Sequence, residues 1–251
     1  PLPPYWIDEI DGVKVGFIGM TLEATNTLVS QSGINGWTFL DEADTANALV
    51  PELQAQGVEA IIVLMHEGGS QTPPPGAVNA CVGISGPVVD INSRLDPAID
   101  AVVTGHTHLP YNCLLNDPNG NPRIVTSAYS FGRVVSELNL VLDHRTGDVR
   151  RDLSGATNHA VVRSQLTADA AITAIINKWK VISDPIGKAQ VGTITADIRR
   201  AFNGAAEDRG SESSAGNMIA DAQLFATQGN GAQIAFMNPG GIRSDLTFAK
   251  S

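Results

Sequence analysis

The sequence predicts an α/β protein in two parts joined by a helix. Three observations carry that expectation. Apolar strands alternate with amphipathic helices over the first hundred residues, two of those strands stop at histidines, and the composition changes after a long helical stretch near residue 167.

"DGVKVGFIGM" (11–20) reads as a turn followed by a glycine-punctuated buried strand. Asp41 then caps a helix from about Glu42 to Gln56, with Ala43, Ala46, Leu49, Val50 and Leu53 on one face and Gly57 at its end. "VEAIIVLM" (58–65) is a continuous apolar strand, "PVVDINSRL" is helix-like, and "DAVVTG" (100–105) is a second short buried strand. This is the rhythm of a parallel sheet covered by helices. "TPPPG" (72–76) is a stiff loop between the units. "RIVTSAY" and "GRVVSELNLVLDHRTGDV" follow as strands, the latter alternating as an antiparallel pair does and turning at "HRTGD".

From Thr167, read as an N-cap, "ADAAITAIINKWKVIS" has helical spacing up to Pro185. Beyond it the pattern is a strand ("AQVGTIT"), a polar loop, a helix ("SAGNMIADAQLFAT"), a strand ("AQIAFMN") and a glycine turn ("PGGIR"). The expected division is 1–165, a linker helix 166–184, and a second unit 185–251.

The 251 residues carry 26 acidic and 16 basic side chains, a formal charge of −10, which disfavours a nucleic-acid polymer or an anionic membrane as partner. No apolar run is long enough to span a bilayer, and there is no leader-like start. The chain opens on "PLPPYW" and closes on "FAKS", so it reads as a piece of a longer protein. Cys81 and Cys113, without any CxxC spacing, are open to three readings: a disulfide, two buried thiols, or part of a metal site.

"VLMHEGG" and "VVTGHTH" each set histidines where an apolar strand stops. Carboxyl-terminal ends of parallel strands lie along one edge of a sheet, so His66, His106 and His108 are candidates for one site. Neutral imidazoles on rigid elements suit a divalent metal, and Gly68, Gly69 and Gly105 let the backbone pass close to it. A lone histidine at a strand end is ordinarily a satisfied structural residue; the HxH step reverses that balance. His144 and His159 lie in hydrophilic turns and read as surface residues.

"GVEAIIVLMHEGG" followed by "VVTGHTH" resembles the second half of a calcineurin-like metallophosphoesterase domain, a β-sandwich flanked by helices. "ESSAGNMIADA" with "IAFMNPGGIR" is similar to the opening of the C-terminal α/β substrate domain of secreted 5′-nucleotidases, UDP-sugar hydrolases and 2′,3′-cyclic-nucleotide phosphodiesterases. The resemblance covers nearly the whole chain. It implies two divalent ions (zinc, manganese or cobalt), with His66 and His106 on one and His108 on the other. It also implies nucleotide contacts from Arg209, Asn238 and Arg243, which on their own read as solvated loop residues.

The family's Asp-x-His, Gly-Asp-x-x-Asp and Gly-Asn-His motifs do not occur in the chain, and the aromatic pair that sandwiches the base is expected beyond residue 251. The resemblance thus implies hydrolysis of nucleotide phosphate esters by the longer protein, with a partial or empty metal site and little activity here. The alternatives are a non-catalytic nucleotide-binding or cell-surface protein, a thiosulfate-handling relative and a cyclic-nucleotide phosphodiesterase. A secreted, periplasmic or cell-wall location goes with it, and there the two cysteines are expected to bridge.

Overall fold

The structure is a computed structural model that describes residues 3–72, 76–204 and 206–248. The proline run of "TPPPG" and the extreme terminal residues lie outside the described residues. The chain divides into two compact units, the first ending at Thr167 and the second beginning at Ala168.

The first unit is built on β1 (Tyr5–Ile10), β2 (Val13–Met20), β3 (Ala60–Met65), β4 (Ile99–Thr104), β5 (Pro110–Asn116) and β6 (Pro122–Ala128), in the order β1-β2-β3-β4-β6-β5. The four central strands β2, β3, β4 and β6 run parallel, and the edge strands β1 and β5 are antiparallel to their neighbours. After β2 come a one-turn α1 (Thr25–Leu28) and then α2 (Glu42–Ala55); α3 (Pro87–Arg94) precedes β4. Asp41 caps α2 by accepting from the Asp44 amide at 2.8 Å. Ala43, Ala46, Val50 and Leu53 of α2 are buried, with Leu49 packed at the margin.

Alternation along the strands sorts the core into two faces. Ile61, Val63, Met65, Val102 and Val125 join the α2 and α3 residues on one face. Ala60, Ile62, Ala101 and Ile124 pack on the other against Leu138, Leu142 and Ala156. That second layer comes from β7 (Val134–Asn139) and β10 (Gly155–Ala160), which pair antiparallel, with a hairpin of β8 (Leu142–Asp143) and β9 (Asp148–Val149) between them. The hairpin turns at the "HRTG" residues, whereas β7 finds its partner in β10.

Charges are buried at the end of the sheet away from the strand-terminal histidines. Arg123, fully buried at the start of β6, donates to the carbonyls of Ile99, Asn92, Leu95 and Asp96. Arg151 bridges Asp100 at 2.8 Å and Asp117 at 2.9 Å. Cys81 and Cys113 are joined by a disulfide that ties the segment before α3 to β5. Asn158 of β10 reinforces the same place, donating to the carbonyls of Val78, Tyr111 and Ser127.

In the second unit the helix α4 runs over Ala170–Gly187 and its N-cap is Asp169, which accepts from the Ile172 amide; Thr167 does not cap it. Asp169 has a carboxylate at the position where the first free amides converge, and the helix runs two residues past Pro185 before it ends. The helix α5 spans Ser214–Thr227 with Ser213 as cap. Neither "AQVGTIT" nor "AQIAFMN" forms a strand. Both lack a backbone ladder partner among the described residues, and Val191, Ile234 and Phe236 are exposed, so β propensity has no sheet to join. Among the described residues, the regular β structure of this unit is a two-residue pair, β11 (Phe202–Asn203) with β12 (Ala206–Glu207), plus a bridge of Ile198 to Leu246.

Candidate active site

β3 and β4 are parallel neighbours, paired from Ile61↔Ile99 to Leu64↔Val103, so the residues after each emerge side by side. His66 follows β3 directly, its amide donating to the carbonyl of Met20 at the end of β2. His106 follows β4 after Gly105. The two imidazoles are exposed and meet at a ring-centroid separation of 5.3 Å, with planes inclined by 66°.

The turns carrying them interlock, and glycine is required where they do. A Cβ on Gly68 would lie 2.4 Å from the Gly105 carbonyl oxygen, and one on Gly69 would lie 2.4 Å from Val88 Cγ1. Gly105 N donates to the Glu67 carbonyl at 3.2 Å, closing the two turns on each other. Tyr111 supports them from below: its hydroxyl accepts from Gly69 N at 3.2 Å and hydrogen-bonds Thr104 Oγ1. Burial pushes that phenol's pKa up, so it stays a neutral donor.

The GHTH turn takes a strained path. His106 and His108 both have positive φ, 63° and 55°, while Thr107 N closes onto Gly105 O at 2.7 Å. Left-handed backbone at two bulky residues in one short turn is a feature of functional sites rather than of ordinary loops. The His108 ring lies against Phe131, centroids 5.2 Å apart. The structure therefore brings His66 and His106 together, whereas the three histidines do not form one set with donor atoms all within 4.8 Å.

The described residues that do form such a set are Glu23, Asp41 and Glu42. Two of the three already have partners: Glu42 accepts from Glu23 N at 2.8 Å, and Asp41 caps α2 and pairs with Arg94 at 2.7 Å. Sequence reasoning passed over this group because it joins the loop after β2 to the start of α2 and has no motif spacing.

Two adjacent, exposed imidazoles suit a borderline transition ion and not a hard cation such as magnesium. The residues present thus fit the imidazole part of a metal centre. Glu67, the nearest buried acid in sequence, is committed to the Gly68 amide at 2.7 Å.

In the second unit, Arg209 and the "NPGG" turn come together. Asn238 Oδ1 accepts from Gly240 N at 3.1 Å, and a Cβ at Gly240 would lie 3.4 Å from Arg209 Nη1. Glu207 holds Arg209 Nε at 3.1 Å and also Arg200, which pairs onward with Asp245. The carboxylates of Glu207 and Asp245 were not singled out by the sequence. Arg243 is exposed and forms no ion pair among the described residues.

Residues 185–250 fit the family described as 5′-nucleotidase, C-terminal domain. Over 97% of its length the chain is 38% identical to cell wall protein Lmo0130 of Listeria monocytogenes, covering 31% of that protein. It is 26% identical over 97% of its length to the 5′-nucleotidase of Rattus norvegicus, covering 42% of it. A 5′-nucleotidase precursor from Thermus thermophilus superposes with a TM-score of 0.72 at 25% identity, over 97% of this chain and 46% of that one. The chain thus spans less than half the length of these relatives. Residues 185–250 thus match the C-terminal domain of 5′-nucleotidases, and the chain over nearly its whole length is similar to proteins of that name.

Proposed function

We propose that the chain contributes to metal-dependent hydrolysis of nucleotide phosphate esters, with His66, His106 and His108 as the imidazole ligands of a two-metal centre and Arg209, Asn238 and Arg243 as nucleotide contacts. The observation that carries this is the pairing of His66 with His106 at the ends of adjacent parallel strands. Bound divalent ions would supply a Lewis acid for the phosphoryl oxygens and an acidified water as nucleophile.

The chain's own part is to hold geometry. The interlocked Gly68 and Gly105 turns fix the two imidazoles relative to one another, and Tyr111 keeps those turns on the sheet. In the second unit, Glu207 restrains Arg209 beside the Asn238 turn, where a guanidinium and an amide can bind an anionic, hydrogen-bonding ligand. The segments 1–165, 166–184 and 185–251 serve in this reading as metal-ligand domain, linker and start of the substrate domain.

Three neutral imidazoles leave the four charges of two divalent ions uncompensated. Full activity is therefore assigned to the longer protein, and this stretch alone is expected to hold one ion weakly or none. A location outside the cytoplasm accords with the disulfide and with the relative named a cell wall protein. The assay is release of phosphate from a nucleoside 5′-monophosphate with added zinc, manganese or cobalt. The longer protein should turn over and lose about 10³-fold or more with His106→Ala; turnover unchanged by that substitution would refute the assignment.

A further inference from the structure

β6 is the next parallel neighbour of β4, paired from Ala101↔Ile124 to Thr104↔Ser127, so the residues after Ala128 emerge at the same sheet edge as the histidine turns. Those residues, Tyr129 to Arg133, adopt an unusual path. Tyr129 has φ 63°, Phe131 φ 59° and Gly132 φ 65°, which puts two aromatic residues in the left-handed region within one turn. Strain of this kind persists only where surrounding contacts hold it.

The contacts are specific. Phe131 is 70% exposed, so core burial does not account for it. Its ring instead meets His108 edge-on, with centroids 5.2 Å apart and an interplanar angle of 65°. The Arg133 guanidinium lies 5.2 Å from the Phe131 centroid and 5.2 Å from the Tyr129 centroid, and Arg133 Nη1 donates to Tyr129 Oη at 3.2 Å. A planar cation within reach of two aromatic rings restrains both.

We propose that the Tyr129–Arg133 turn is a positioning device for His108: Arg133 clamps Phe131, and the Phe131 ring holds the imidazole in one rotamer at the sheet edge. Phe131, Arg133 and Tyr129 are positioning residues, acting on a ligand without being one. The proposal rests on the reading of His108 as a ligand for its purpose, and on ring geometry alone for its existence. The ring that His66 meets is that of His106.

The test is nuclear magnetic resonance on the metal-free chain, reading the three-bond couplings across the His108 Cα–Cβ bond. The wild-type protein should show the values of a single χ1 rotamer, with a ring-current displacement of the imidazole protons. Phe131→Ala should average the couplings and abolish the displacement, Phe131→Tyr should restore both, and Arg133→Met should give a smaller loss in the same direction. The His66 couplings should stay unchanged in all three variants, which separates a loosened turn from a loosened fold. Unchanged His108 couplings in Phe131→Ala, or an equal loss at His66, would overturn the proposal. Whether His108 meets a metal is read separately, by adding cobalt to the wild-type chain: couplings that collapse in Phe131→Ala uphold the clamp whether or not cobalt reaches His108.

Discussion

Replacing Gly68 by alanine tests how the two histidine turns are held. The added Cβ would stand 2.4 Å from the Gly105 carbonyl oxygen, 3.0 Å from Thr107 Oγ1 and 3.3 Å from Thr107 Cγ2. An ordinary carbon–oxygen contact is about 3.3 Å, so the GHTH turn must retreat by roughly 0.9 Å. The obstacle is backbone, which cannot rotate away as a side chain does. Overpacking of this kind costs about 1–3 kcal/mol, or about 2–12 °C in Tm for a chain of this size. The same displacement separates His106 from His66. Thermal unfolding by circular dichroism measures the first effect, and the chemical shifts of the two imidazoles measure the second. A Gly68→Ala protein with unchanged Tm and unchanged His66 and His106 signals would refute the interlock.

Two further outcomes follow from the structure. Cys81 and Cys113 close a loop with a sequence separation of 32; the double variant Cys81→Ser/Cys113→Ser should lose about 3–4 kcal/mol, or about 6–16 °C in Tm, and an unshifted melting curve would contradict a stabilising bridge. The Arg94 guanidinium, with the Asp44 amide next, holds the Asp41 carboxyl below its ordinary value. A depressed folded pKa means that the contribution is complete above the unfolded value and fades as pH falls through the folded one. Asp41→Asn keeps the helix cap and removes the charge, so its stability deficit against the wild type should be present at neutral pH and shrink below pH ~4, as denaturant titrations would show; a deficit independent of pH would contradict the pair.

How much was legible depends on what holds each element. β2, α2, β3, α3 and β4 bury apolar residues with clean periodicity, and their bounds could be read closely. β1 could not: "YWIDEI" is an edge strand in which Trp6 and Ile10 are exposed, so its alternation is blurred. β5 was hidden behind the histidine turn that precedes it. β10 has almost no apolar signal, because its buried residue is Asn158, satisfied by hydrogen bonds instead of by packing. In the second unit, "AQVGTIT" and "AQIAFMN" carry strand propensity that pairing does not realise. Among site residues, the histidines announce themselves by following strands. Glu207, Phe131 and Arg133 do not, since an ion pair in a polar loop and a ring contact across two strand ends leave no spacing to read.

The central claim is that His66 and His106 form the imidazole face of a metal site, and a single titration examines it. Cobalt added to the chain, followed by nuclear magnetic resonance of the histidine rings and of the Glu23–Asp41–Glu42 segment, reports where the ion goes. The account predicts that the His66 and His106 ring signals shift or broaden together, at low affinity and with one ion, and that both responses vanish in His106→Ala while the acidic segment is unaffected. Ring signals that stay in place while Glu23, Asp41 and Glu42 respond, or a response at His66 that survives His106→Ala unchanged, would contradict it.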